Sequence, residues 1–197
     1  MSARLLLAAS FATALLGAAD YQRTPEGLRQ VWLQGRASTP DGAAGASLKL
    51  YCREGQGGWV GLDMTVFQPG EANPNAFIDS SKTFHYRDFE GPDAAAANRA
   101  LTRVTVRGQA PDLSLETRQS GSFSSSALGG FVFSFGAPNR QAGSAPQRIF
   151  KAIRDGGRSL SIRITDPRDP EAVILGEFDT GEASGPVQRM MNGQWRP

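Results

Sequence analysis

The chain has 197 residues, 21 Lys and Arg against 19 Asp and Glu, a formal charge of +2, and a single cysteine and a single histidine. One cysteine excludes an intramolecular disulfide framework, one Cys and one His fall short of the about four ligands of a structural zinc site, and so small a charge excess gives no reason to expect nucleic acid. With 40% hydrophobic residues, the length instead fits one globular domain with its own core.

In chain order, the first signal is an address. Arg4 precedes an apolar run over 5–16, and Gly17, Ala18 and Ala19 follow it. Charge to orient the segment, an apolar stretch to engage the export channel and small residues to fit signal peptidase are the parts of a secretory leader. The run is shorter than the about 20 residues that cross a bilayer, and no later segment approaches that length. The expectation is therefore a leader over 1–19, a mature domain over 20–197 with no transmembrane segment, and a periplasmic or secreted location. No cysteine follows the apolar run to carry a lipid anchor.

Beyond the leader the dominant pattern is period-two alternation, which sends neighbouring side chains to opposite faces of a sheet. An early strand lies within 28–38. Leu48, Leu50 and Cys52 share one face of the next, with Lys49, Tyr51 and Arg53 on the other; Val60, Leu62, Met64 and Val66 repeat the pattern after the turn at 55–58, making a hairpin. Phe84 and Tyr86 alternate with Thr83, His85 and Arg87, which predicts a half-buried strand. Val104 and Val106 alternate with Arg103, Thr105 and Arg107 in the same way. Leu113 and Leu115, the run 131–135, Leu160/Ile162/Ile164 and the run 172–178 supply further strands. Loops are expected at 40–45, 68–75, 120–130, 136–144 and 166–171, with the Ser/Gly-rich stretch 120–130 the most mobile by composition.

Two segments follow helical spacing instead. Ser144 is placed to cap a helix with Pro146 in its first turn and Ile149, Phe150 and Ile153 on one face, ending at 155–157. Gly185-Pro186 opens a second carrying Val187, Met190 and Met191, and the Ala-rich stretch 92–100 suits a further helical turn. Together these elements predict a mainly β fold, an antiparallel β-sandwich of about seven to nine strands with one or two short helices, with a closed barrel as the alternative.

No catalytic, cofactor or metal constellation emerges. Cys52 shares an apolar strand face with Leu48 and Leu50, whereas His85 shares a polar one with Arg87, so the sole thiol–imidazole pair is separated. The carboxylates of 166–171 suit a turn better than a calcium loop, given two prolines in six residues. No G-x-S-x-G elbow, P-loop or dinucleotide fingerprint is present. The polar strand faces are more suggestive. Tyr51, Arg53, His85, Arg87, Arg103 and Arg107, with Lys49, would form a basic, aromatic-interleaved surface if their strands were neighbours, suited to an acidic partner. Trp59 and Trp195 are candidate anchors for such a partner.

The succession Leu48-Lys49-Leu50-Tyr51-Cys52, a partner strand from Trp59, then Phe84-His85-Tyr86-Arg87-Asp88, a helix over 149–153, Ser159-Leu160-Ser161-Ile162-Arg163 and Gly176-Glu177-Phe178-Asp179-Thr180-Gly181 resembles the VasI-like family of small bacterial periplasmic proteins associated with type VI secretion. The resemblance covers about 48–191. The family's late cysteine, the partner of the one in the early strand, is absent here. The resemblance implies a non-enzymatic periplasmic accessory protein and transfers no catalytic residue. The sequence thus points to an exported binding or accessory protein of the cell envelope, with an envelope protein as partner and no cofactor. A secreted hydrolase whose site the fold assembles, and a carrier lined by Phe131, Phe133 and Phe135 for an apolar ligand, are the alternatives.

Overall fold

Strands that are apolar on one side only must turn that side to a shared interior. The computed structural model, which describes residues 19–53, 58–67, 81, 83–91, 101–125, 127–139 and 141–192, does so with one antiparallel sheet curled into a half-barrel. Its ten strands are β1 (Asp20–Arg23), β2 (Leu28–Thr39), β3 (Gly42–Arg53), β4 (Trp59–Phe67), β5 (Thr102–Arg107), β6 (Leu113–Glu116), β7 (Gly121–Ser125), β8 (Gly130–Pro138), β9 (Ser159–Thr165) and β10 (Val173–Asp179). Among the described residues two short helices, α1 (Ala145–Arg154) and α2 (Ser184–Met191), pack against it. The mainly β, antiparallel class with short helices is as expected, and the facing layers are two halves of one continuous sheet. The expected leader over 1–18, the tip of the 55–58 turn, the 68–75 loop, the 92–100 helical turn and Trp195 lie outside the described residues.

The strand order is β6-β5-β9-β10-β2-β3-β4-β8-β7, with β1 pairing the first half of β2 and β10 the second. Register follows the alternation: Val31 lies opposite Leu50, Leu48 opposite Met64, Leu62 opposite Phe135 and Val104 opposite Ile162, all fully buried. A one-residue slip would turn every one of these to the solvent side. The opposing walls meet in the middle, since a Cβ on Gly176 of β10 would run into Met64 Sδ of β4. Phe131, Phe133 and Phe135 are consumed in this packing, each side chain contributing about 1.5–3 kcal/mol by leaving water.

Both ends of the half-barrel are plugged. At one end α1 lays Ile149, Phe150 and Ile153 on the interior, and α2 adds Val187, Met190 and Met191. The buried Arg29 of β2 donates to the Met190 and Asn192 carbonyls, satisfying the C-terminal end of α2 where a cation is favoured. At the other end the segment 83–91 departs from the expected strand. It has no ladder partner; Asp88 donates its amide to the His85 carbonyl, and Tyr86–Phe89 form a single 3-10 turn. The turn sends Phe84, Tyr86 and Phe89 to the same side, where Phe84 stacks on Phe89 at 5.4 Å and Tyr86 meets Phe131 at 5.1 Å between ring centroids. Alternating aromatics here reflect a plug in the mouth of the sheet.

The stretch 120–130, expected as a mobile loop, contains β7. Its inward positions are Ser122 and Ser124 because it faces the seam between the two sheet edges, and polar groups bridge that seam. The fully buried Gln119 donates through Nε2 to Thr102 Oγ1 of β5 at 3.1 Å and accepts from Ser122 Oγ of β7 at 2.9 Å. Replacing Gln119 by Ala leaves both hydroxyls without their bridging partner, so denaturant unfolding should show a loss of about 1–3 kcal/mol. Wild-type stability in that variant would remove the bridge as a closing element.

Candidate functional site

The six residues of the expected basic face occupy three separate places. Tyr51 and Arg53 project outward from β3, and Arg103 and Arg107 outward from β5, as the alternation requires. Strands β2, β10 and β9 lie between them, four strand spacings or roughly 19 Å around the curl. Glu177 and Asp179 face outward on β10 in that interval. Arg103 is paired with Glu116 at 3.3 Å. His85 and Arg87 are on the 3-10 turn, so the strand assignment that placed them beside the others is corrected: they sit at the plugged end. One continuous basic sheet face is therefore not assembled. Cys52 is buried at the α2 end of β3, opposite Arg29 and Val60, a full strand length from His85.

His85 belongs to a clamp that holds the aromatic plug. Asp166, with its side chain buried, accepts hydrogen bonds from the amides of His85 at 2.6 Å, Arg168 at 2.7 Å and Asp169 at 3.2 Å, and from the His85 ring. Burial would push this carboxyl up, but the His85 and Arg168 amides, the His85 ring and the Asp169 amide outweigh it and hold the pKa below its ordinary value. Arg168 grips Asp88 of the turn through two nitrogens. Asp41, at the tip of the β2–β3 hairpin, accepts from Ser81 and Thr83. The Asp166 and Asp169 carboxylates thus serve backbone amides, and no group of three metal-ligating side chains occurs among the described residues.

A different arrangement stands on the outer face of β2, β3, β4 and β8. The Tyr51 ring reaches over Gly61, its cross-strand partner, and the Trp59 ring over Gly136; a Cβ at either glycine would collide with the ring above it. The Trp59 indole N–H lies on the side of the Tyr51 hydroxyl, where it favours the ionised phenol slightly. Burial first, then the Asp63 carboxylate, pushes the Tyr51 phenol far above its usual range, so it stays neutral. Lys49 pairs with Asp63 at 2.5 Å, and its ammonium sits 5.1 Å from the Tyr51 ring centroid and 5.7 Å from that of Trp32. The result is a row of ordered aromatic side chains from Trp32 through Tyr51 to Trp59.

Trp59, 37% exposed, forms one lip of a groove of about 560 Å³, within the usual range for small-molecule sites. The groove follows the seam where β7 has ended and β8 continues. Asn139 donates its amide to the Gly58 carbonyl, so by the two-residue period Phe135 and Ala137 face β4, whereas Gly136 and Pro138 face the groove. Residues 116–120, crossing from β6 to β7, form the opposite wall. Gln141 and the first turn of α1, Ser144 to Pro146, close the end. Ser144 occupies the expected N-cap position, but its side chain makes no capping bond, and its buried hydroxyl has no partner among the described residues. Trp59 was legible as an anchor, and Ser144 was legible only as a cap. Arg118, Gln119 and Gln141 carried no signal, since the groove exists only once the sheet curls.

Comparison with protein-family models, with curated proteins and with solved structures gave no match to this chain.

Two outcomes are expected. Asp166 has a folded pKa below its unfolded value, so its contribution is complete above about pH 3.9 and disappears as pH falls through the folded pKa. Asp166→Asn should therefore cost about 2–3 kcal/mol at pH 7, a gap that narrows in acid unfolding below about pH 4; a pH-independent gap would assign the cost to something other than the charge. Gly136→Ala should displace Trp59, read as a shifted and quenched indole emission with the sheet circular dichroism retained.

Proposed function

We propose that this chain is an exported, non-enzymatic binding protein of the bacterial cell envelope that works through the Trp59 groove. The observation that carries this reading is the exposed indole fixed in place, by Gly136 beneath it and Tyr51 beside it, at the rim of a groove of ligand size. Recognition sites characteristically spend rigid aromatic side chains this way, because a ring already held in place loses little freedom on binding. The arrangement of residues 1–19 supports export. No helix among the described residues is long and apolar enough to cross a membrane. The VasI-like succession of elements supports an accessory role beside other envelope components. Arg53 on β3 and Arg107 on β5 are separate outward charges that would steer an acidic partner towards the molecule.

Export is checked by the mass of the protein recovered from the periplasm of an expressing bacterium. It should lack the first 18 or 19 residues, as the leader reading requires. Full-length protein confined to the cytosol would overturn that part. Binding is checked by pelleting the purified mature domain with isolated cell-wall sacculi and with membrane vesicles. Trp59→Ala should reduce the pelleted fraction about 10-fold, as loss of an aromatic anchor does. Undiminished pelleting would remove the groove from the reading.

A further inference from the structure

We propose that the groove is a site for an acidic saccharide: the N-terminus of α1 and Arg118 receive the ligand's carboxylate while the Trp59 ring receives a sugar face. The inference rests on the binding role given above and names the ligand class for the same groove. Three independent features of the groove converge on an anion. First, the ten-residue helix α1 begins in its wall, with no acidic residue in the first turn and no side chain capping the amides of Ala145 and Gln147. Those amides and the helix dipole favour negative charge. Second, Ser144 is only 5% exposed and lines the groove, and its buried hydroxyl has no partner among the described residues. Third, Arg118 on the facing wall is exposed and forms no ion pair among the described residues, leaving its fork free for a planar carboxylate. The one acid in the lining, Glu116, is already engaged by Arg103 on the outer face of β5.

The rest of the lining selects a sugar. A pyranose has an apolar C–H face and a rim of hydroxyls. The groove offers one indole, seated on Gly136, and the polar residues Thr117, Ser120 and Gln141 around it. An aromatic acid would leave that polar rim unmatched, and buried polar groups without partners cost affinity.

Calorimetric titration of the mature domain tests this with two acidic oligosaccharides, trigalacturonate and a hyaluronan tetrasaccharide, and two neutral ones, cellotriose and chitotriose. At low salt the acidic ligands should bind about 10-fold more tightly than the neutral ones, and this advantage should shrink as salt screens it. Arg118→Gln and Ser144→Ala should each weaken acidic binding about 5- to 10-fold and leave neutral binding unchanged. Trp59→Phe should weaken both classes, with circular dichroism reporting that each variant is folded. Equal affinity for the two classes, or acidic binding indifferent to Arg118 and Ser144, would overturn the carboxylate site while leaving the groove's binding role standing. Binding of none of the four would overturn the saccharide assignment, and the envelope-pelleting result decides the broader role separately.

Discussion

Everything in this molecule follows from a sheet that curls without closing. Ten antiparallel strands bring β6 and β7 round toward one another but never pair them, and an unpaired edge exposes backbone donors and acceptors that water or another chain will claim. The seam is therefore bridged by side chains: Gln119 spans Thr102 and Ser122 across it. The open mouths of the half-barrel need separate plugs, and the chain uses different chemistry at each. At one mouth two helices bury an aliphatic stripe. At the other an aromatic cluster on a 3-10 turn is pinned from outside by Asp166, by the Arg168–Asp88 pair and by Asp41. That mouth is held by carboxylates bonded to amides and hydroxyls, so its integrity depends on pH in a way the helical mouth does not.

The outer face is shaped by two missing side chains. Gly61 and Gly136 lie next to one another across the β4–β8 ladder, and their absent Cβ atoms create the shallow bed in which Tyr51 and Trp59 recline. Glycine in a strand interior weakens the strand. Here the loss is offset by the area of the Tyr51 and Trp59 rings buried against the sheet. Pro138 has a related effect. It occupies a seam-facing backbone position of β8 and offers no amide, which blunts the uncovered edge against addition of a further strand. Beside it lies the groove lined by side chains, so the proposed recognition there suits a small ligand better than an extended peptide.

The elements whose period was set by the core were legible in the sequence. Leu48, Leu50 and Cys52, then Val60 to Val66, Val104 and Val106, and Leu160 to Ile164 alternate because one side of each strand is interior, and the α1 stripe of Ile149, Phe150 and Ile153 follows helical spacing for the same reason. Elements defined by tertiary context were not. Strand β7 is built of Gly and Ser because it borders a polar seam, and the residue that makes it a strand is its partner β8. The alternation of Phe84 and Tyr86 is genuine, but one aromatic just before a 3-10 turn and one at its start can imitate a strand, and Phe89 at the end of the turn completes the cluster. Strand order was equally hidden. Lys49 and Tyr51 on β3 and Arg103 and Arg107 on β5 each point outward as the pattern requires, yet three strands intervene, and no local pattern encodes that separation.

The same asymmetry decides where function can sit. Where the seam reaches the aromatic plug it is filled by Phe131 and Phe133 and by Ser124, whose hydroxyl donates to the Glu90 carboxylate. Toward α1, β7 has ended, β8 runs on unaccompanied, and the closing pieces are polar: the 116–120 crossing, Gln141 and an uncapped helix start. A helix that began with its serine bonded to its own amides would be more stable by about 1 kcal/mol. Leaving those amides and the Ser144 hydroxyl unspent forgoes that stabilisation in favour of a positive, partly desolvated spot facing a fixed indole. Among the described residues Ser144 is one of several side chains with a buried polar atom that has no partner, and it is one that lines the groove; a ligand gains only from groups that the fold itself has not already used.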